Sequence, residues 1–116
     1  MYTIIRNGTI VTAEKSFKAD ILIEDEKIVE IAESIKVDDC RVIDAEDMLV
    51  MPGGVDPHVH LNLPMAGTIS SDDHYTGGKA AAFGGTTTVI DFVSQNEVSL
   101  EDSIRLHRQN ADAKTC

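Results

Sequence analysis

The sequence predicts an α/β fold in which a segment of short strands precedes two strand–helix units. Residues 1–50 contain short apolar segments separated by turn residues, which is typical of β-structure. From residue 48 onward the predicted order becomes strand, loop, helix, strand, helix, which is typical of parallel βα units. The length of 116 residues, with 42% hydrophobic and 26% charged residues, fits one globular domain or part of a larger one. We therefore expect a β part over residues 1–50 and a βα part over residues 51–116.

The β part is expected to be a meander that forms part of a small β-sandwich. Tyr2–Arg6 is predicted as the first strand, and Asn7-Gly8 is a strong signal for a hairpin that pairs Thr9–Val11 back onto it. Further extended segments are predicted at residues 20–23, 27–32 and 41–44.

The βα part is predicted to open with the apolar run at residues 48–51, which shows no alternation and so indicates a strand buried on both faces. The Pro-Gly-Gly sequence at 52–54 is expected to bend or split this strand. A helix over 72–83 follows, because Asp72 and Asp73 favour an N-terminus and Gly84-Gly85 is a left-handed C-cap signal. The glycine pair at 77–78 either argues against a helix here or marks close packing against a neighbouring element.

The second unit consists of a β-branched strand over 86–93 and a helix from Ser99 to about residue 111. Ser99 and Asp102 have the spacing of a capping box. One face of the helix carries Leu100, Ile104, His107 and Ala111. Two βα units cannot close a barrel, which needs eight, so as the N-terminal part of a (β/α)8 TIM-like barrel they would be its first two βα units.

Charge and composition argue against several kinds of partner. The net charge of −10 argues against nucleic acid and anionic membranes, which are bound through Lys and Arg clusters. No apolar run approaches the ~20 residues of a membrane span, and the N-terminus lacks the features of a secretory signal. Cys40 and Cys116 are too few for a disulfide framework. We expect a cytoplasmic protein.

His58 and His60 are the candidate metal ligands. Residues two apart on an extended segment point to the same side, so both imidazoles can converge on one cation. The pair lies at the C-terminal end of the predicted strand, where barrel enzymes assemble their sites. Asp56 would share this side, and its carboxylate is expected to accept a hydrogen bond from an imidazole N–H.

The remaining polar candidates surround this pair. In the loop after it, Asn62, Leu63 and Met65 are candidate substrate contacts, and the equal alternative is that the two apolar side chains only pack the loop onto the barrel. His74 is expected to be a partly exposed helix residue and His107 a packed core histidine. Asp91, inside the second barrel strand, is expected to be buried and to need a partner. No catalytic residue is identified.

Several sequence blocks together point to a known family. They are GVDPHVHLN at 54–62, Gly67-Thr68, Asp72-Asp73, Tyr75-Thr76-Gly77, AAAFGGTT at 80–87, and Ile90-Asp91-Phe92, preceded by Ile5-Arg6-Asn7-Gly8 and Lys18-Ala19-Asp20-Ile21. These blocks resemble the cyclic amidohydrolases, and within them the dihydropyrimidinase/D-hydantoinase branch of the amidohydrolase superfamily.

The resemblance implies metal-dependent hydrolysis of cyclic amides such as dihydropyrimidines and hydantoins. It implies a distorted (β/α)8 barrel beside a small β-sandwich, two divalent metals, usually zinc, bridged by a carboxylated lysine, and a homo-oligomer in the full-length form. Only His58 and His60 match the family's metal ligands. The bridging lysine, two further histidines and the catalytic aspartate have no counterpart here, so we expect the chain to be incomplete and inactive by itself.

Two alternatives stay open. Asn62 differs from the acidic residue expected in many hydantoinases and from the arginine expected in dihydroorotases, which leaves an allantoinase- or dihydroorotase-type enzyme as the first alternative. The second is a non-catalytic truncated paralogue that acts as a binding or assembly module.

Overall fold

The computed structural model describes residues 1–95, 98–112 and 114, and the chain divides into two compact units, Met1–Pro52 and Gly53–Cys116. The first unit is built from seven strands. They are β1 (Tyr2–Arg6), β2 (Thr9–Val11), β3 (Ser16–Lys18), β4 (Asp20–Glu24), β5 (Lys27–Ala32), β6 (Cys40–Asp44) and β7 (Leu49–Val50).

Two sheets make up this first unit. One has the order β5-β4-β1-β6, with β6 parallel to β1, and the other has the order β3-β2-β7. Because side chains alternate along β4, Ile21 and Leu22 enter different apolar clusters. Leu22 packs with Ile4 and Ile35. Ile21 packs with Ile10 and Ala19, next to Phe17 and Val50, so this second cluster joins residues of both sheets.

The predicted hairpin at Asn7-Gly8 is wrong. β1 pairs with β4 and β6, whereas β2 pairs with β3 and β7. A type I′ turn needs positive φ at both central residues, and only Asn7 has it, with φ of 64°. A Cβ at Gly8 would lie 2.5 Å from Val50 Cγ2, so glycine serves here to let β7 approach closely. The chain therefore passes from one sheet to the other at this point.

The apolar run at residues 48–51 also behaves differently from the prediction. β7 is a two-residue strand at the edge of its sheet, and Leu49 is 64% exposed. Met48 and Met51 are exposed as well, so the predicted burial on both faces is wrong. The predicted break at residues 52–54 is confirmed, because a new strand, β8 (Gly54–Val59), begins after Pro52.

The second unit combines β8 with two helices. The further elements are β9 (Pro64–Met65), β10 (Thr68–Ile69), α1 (His74–Phe83), β11 (Thr86–Asp91) and α2 (Leu100–Ala111). β8 and β11 pair in parallel, which confirms the predicted alternation of parallel strands with helices. Within the described part of the chain, neither helix is long and apolar enough to cross a membrane.

Both helices start where side chains cap them. The Asp73 carboxylate accepts N–H groups of the first turn of α1, and Thr76 completes a capping box. Ser99 accepts the N–H of Asp102 at the start of α2. At the other end of α1, Gly85 has φ of 82°, so the predicted left-handed glycine is confirmed.

Helix α1 packs closely against the segment that follows β8. A Cβ at Gly77 would lie 2.5 Å from Leu61 Cδ2, which confirms the close packing predicted from the glycine pair. The segment predicted as a loop over residues 61–71 contains a short hairpin that the sequence analysis missed. β9 and β10 pair there, and Ala66 and Gly67 at its tip both have positive φ, 51° and 80°.

Candidate metal site

His58 and His60 converge as the alternation of a strand predicts. His58 lies in β8 and His60 directly follows the strand, and their Nε2 atoms are 3.1 Å apart. Both side chains are exposed. Phe92, directly after β11, stacks on His58 with ring centroids 4.0 Å apart and 20° between the planes. Since β8 and β11 run parallel, the three rings gather at the C-terminal ends of neighbouring strands.

The donor set of this pair fits a divalent metal. Zinc binds imidazole nitrogens at ~2.0–2.1 Å, so two ligands of one tetrahedral ion lie roughly 3.3 Å apart. The observed 3.1 Å between the Nε2 atoms is close to that separation. A catalytic zinc ion takes at least three protein ligands and a water, so the pair provides part of a site.

Asp56 makes a hydrogen bond other than the expected one. Its Oδ1 accepts the main-chain N–H of His58 at 3.1 Å. This contact fixes the backbone of β8. It does not involve the ring nitrogens of His58. The expected contact between the Asp56 carboxylate and an imidazole therefore stays a prediction.

Two of the three predicted loop contacts share a cavity with Phe92. Asn62 and Leu63 line a cavity of about 250 Å³ together with Phe92 and His107. Met65 belongs to β9, is 64% exposed, and is not among the residues that line this cavity. The structure thus brings Asn62 and Leu63, but not Met65, beside the aromatic ring that stacks on His58.

A second polar group lies next to these residues and consists of His74, Asp91 and His107. Asp91 Oδ2 accepts hydrogen bonds from His74 Nε2 at 3.0 Å and from His107 Nε2 at 2.9 Å. Asp91 Oδ1 accepts the main-chain N–H groups of Leu61 at 3.3 Å and Phe92 at 2.9 Å. The three side chains place ligand-type atoms within 4.8 Å of one another, a composition that can also hold a metal ion.

This group corrects two expectations and confirms a third. His74 is 4% exposed, so its assignment as a partly exposed helix residue is wrong, because the first turn of α1 faces Asp91 of β11 and not solvent. His107 is half-buried and bound to a carboxylate, so an apolar core is not its main environment. Asp91 is largely buried and partnered, as predicted.

Phe92 is the site residue that the sequence analysis did not single out. In the parallel register Asp91 pairs with Val59, so Phe92 corresponds to His60 on the neighbouring strand. Parallel strands of barrel enzymes carry their functional residues at these carboxyl ends. The position of Phe92 directly after the second parallel strand could therefore have identified it as a candidate site residue.

The relatives and the solved structure described next are considerably longer than this chain. D-hydantoinase from Geobacillus stearothermophilus is 50% identical over 97 residues, which are 84% of this chain and 21% of that protein. Dihydropyrimidinase 1 from Caenorhabditis elegans is 44% identical over 117 residues, covering 97% of this chain and 24% of the relative. Among solved structures, the dihydropyrimidinase from Brevibacillus agri matches with a TM-score of 0.94 and 46% identity over 99% of this chain and 25% of its own. No family model matches the sequence.

These similarities place the chain in the family of the cyclic amidohydrolases. Within that class it belongs to the dihydropyrimidinase/D-hydantoinase branch and corresponds to the N-terminal portion of those proteins. The chain spans about a fifth to a quarter of the length of the relatives it matches.

Proposed function

We propose that this chain contributes the first metal ligands of an enzyme that hydrolyses the C–N bond of cyclic amides, with dihydropyrimidines and hydantoins as the substrate class. One observation carries the proposal. His58 and His60 bring their Nε2 atoms within 3.1 Å at the C-terminal end of β8, in a sequence 50% identical to a D-hydantoinase. The substrate class comes from the names of the relatives.

The proposal includes an architecture. Residues 1–50 would form part of a β-sandwich, and residues 51–116 the first two βα units of a (β/α)8 barrel. The parallel pairing of β8 with β11 and the TM-score of 0.95 to a D-hydantoinase support this assignment. We also propose that the protein is cytoplasmic and that its full-length form is a homo-oligomer. The first proposal is supported by the composition of the sequence and the second by the family resemblance.

In this proposal His58 and His60 hold one divalent metal ion, for which we propose zinc. Such an ion, when bound, polarises a carbonyl group and lowers the pKa of a coordinated water. Phe92 keeps the His58 ring in place by stacking on it. The second metal and the carboxylated lysine implied by the family resemblance have no matching ligands in this sequence.

The loop after the histidines would contact the substrate. Asn62 and Leu63 line a cavity together with Phe92, so an amide and an aliphatic side chain border the space next to the Phe92 ring. Met65 stays a candidate contact on the exposed hairpin. Asp56 accepts a hydrogen bond from the main chain of His58. It would orient a histidine ring only if its carboxylate also accepted the predicted imidazole N–H.

A chimeric enzyme tests this proposal. Residues 1–116 replace the corresponding N-terminal segment of the Geobacillus stearothermophilus D-hydantoinase, whose remaining sequence supplies the rest of the protein. We expect the chimera to open the rings of hydantoin and dihydrouracil, because His58 and His60 would complete the metal site. His58→Ala and His60→Ala should abolish this activity.

The matched control is Asp102→Asn in the same chimera. Asp102 lies on the exposed face of α2 and contacts Ser99 and Arg105, away from the histidine pair. This variant should keep the activity of the parent chimera. A folded chimera, judged by circular dichroism and gel filtration, that opens neither ring would contradict the proposal, and so would undiminished activity of both histidine variants.

A further inference from the structure

We propose that His74, Asp91 and His107 form a hydrogen-bonded clamp that fixes the main chain directly after His60 and so sets the geometry of the histidine pair. The three are positioning residues, and the inference rests on the proposed metal-binding role of His58 and His60. The clamp joins four segments of the second unit, because its members come from α1, β11 and α2 and its fourth partner is the Leu61 amide.

The two oxygens of Asp91 have separate partners. Oδ2 accepts the two imidazole Nε2–H groups, at 3.0 and 2.9 Å. Oδ1 accepts the N–H groups of Leu61 and Phe92. A carboxylate is an acceptor only and has room for four donors, so Asp91 is fully used as a hub. An unpaired polar group is costly in the low-dielectric interior, so loss of a partner at this hub is expected to be felt.

The contacts of Asp91 Oδ1 flank the candidate metal ligands on two strands. Leu61 follows His60, so the hydrogen bond to the Leu61 amide fixes the main chain directly after the second candidate ligand. The ring of Phe92 stacks on His58, and the Phe92 amide is anchored by the same oxygen. Asp91 is thus linked to both imidazoles of the candidate site. It binds the amide of the residue after His60, and it binds the amide of Phe92, whose ring stacks on His58.

Hydrogen bonding accounts for this group better than metal binding does. A metal bound at His74 Nε2 would require the proton on Nδ1, and metal-bound histidines almost always donate that second N–H to an acceptor. His74 Nδ1 is buried, and no described residue forms a hydrogen bond with it. The Nε2–H tautomer, which donates to Asp91, avoids burying an unpartnered N–H donor.

Asp91→Asn tests the clamp in the 116-residue chain. The asparagine has nearly the same shape, but its amide would present N–H groups to the two imidazoles, and a change of tautomer would leave a buried Nδ1–H of His74 without an acceptor. Two measurements are made: hydrogen exchange of the Leu61 amide by NMR, and Co²⁺ binding from its visible absorption. We expect faster exchange at Leu61 and a Co²⁺ affinity about 10–100-fold weaker, the range found when partners of metal ligands are lost.

Three further variants separate the possible results. Asp102→Asn, with the same loss of charge on α2, should match the parent chain in both measurements. His107→Gln keeps an N–H donor and should retain more Co²⁺ affinity than His107→Leu, and this pair decides the matter if Asp91→Asn fails to fold. Equal Co²⁺ affinity and equal Leu61 exchange in Asp91→Asn and the parent would overturn the clamp.

If the proposed metal-binding function fails, the measurements give a different result from the one expected if only the clamp fails. If the parent chain binds no Co²⁺, the proposed metal role of His58 and His60 fails, while the Leu61 exchange comparison still decides whether the clamp exists. If a His58→Ala/His60→Ala variant keeps Co²⁺ binding and His107→Leu abolishes it, the metal lies within the group, and the clamp is wrong.

Discussion

At the scale of single residues, Gly77 allows α1 to pack against the segment after His60. A Cβ at this position would lie 2.5 Å from Leu61 Cδ2. We expect Gly77→Ala to lower the free energy of unfolding by about 1–3 kcal/mol, because overpacking outweighs the gain in helix propensity. The control is Gly84→Ala, where the nearest atom to the new Cβ is at 3.4 Å and φ is −83°. Urea denaturation measures both, and an equal or more stable Gly77→Ala would contradict the packing described.

The carboxylate of Asp73 is expected to make the stability of the fold depend on pH. Its pKa is lowered from the ordinary value of 3.8, mainly because the carboxylate accepts the main-chain N–H of Thr76. A lowered folded-state pKa stabilises the fold above the unfolded-state pKa, and this contribution is lost as the pH falls through the folded-state value. The melting temperature of the parent should therefore exceed that of Asp73→Asn by more at pH 6 than at pH 3. Asp112→Asn, at the exposed end of α2, controls for the change of charge, and a difference that stays constant with pH would contradict the prediction.

The sequence revealed some of these residues and not others for a physical reason. His58 and His60 are two residues apart, so strand geometry alone brings them together. His74, Asp91 and His107 are separated by 16 or more residues, and only the packing of α1 and α2 against β11 makes them neighbours. Each taken singly had an ordinary structural interpretation, and for His74 that interpretation was wrong.

At the scale of elements, the short hairpin β9–β10 has an alanine where its turn favours glycine or asparagine. Ala66 has φ of 51°, a region that costs an alanine roughly 1–2 kcal/mol. We expect Ala66→Gly to slow hydrogen exchange of the Ser70 amide, which donates to Leu63 O across the hairpin, several-fold. Gly67→Ala, with φ of 80° and no atom within 4 Å of the new Cβ, should speed the same exchange.

A reversed order of these two variants would mean that the turn adopts another conformation in solution. The hairpin was missed because Ala-Gly is a weaker turn signal than Asn-Gly, whereas Asn7-Gly8 carried the strong signal and formed no hairpin. Contacts distant in sequence decided the second case, since Val50 of β7 occupies the space beside Gly8. Helix caps were predicted better because they depend on side chains within one turn of the helix.

At the level of the whole molecule, the chain corresponds to the N-terminal portion of proteins of the dihydropyrimidinase/D-hydantoinase branch and spans about a fifth to a quarter of their length. The order of strands and helices in the second unit could be predicted from residue patterns, because each element has its own period and its own caps. The division of strands between two sheets in the first unit could not, since it depends on which strands pair across long separations. β1, for instance, pairs with β6 nearly forty residues later.

We propose that His58 and His60 hold a metal ion on which hydrolysis depends. The most direct test measures the ring-opening rate of the chimera with hydantoin before chelation, after removal of metal, and after zinc is added back. We expect activity to disappear on chelation and to return with zinc in the parent and in Asp102→Asn, but not in His58→Ala or His60→Ala. Activity that survives complete removal of metal, or that zinc restores equally in the histidine variants, would contradict the claim.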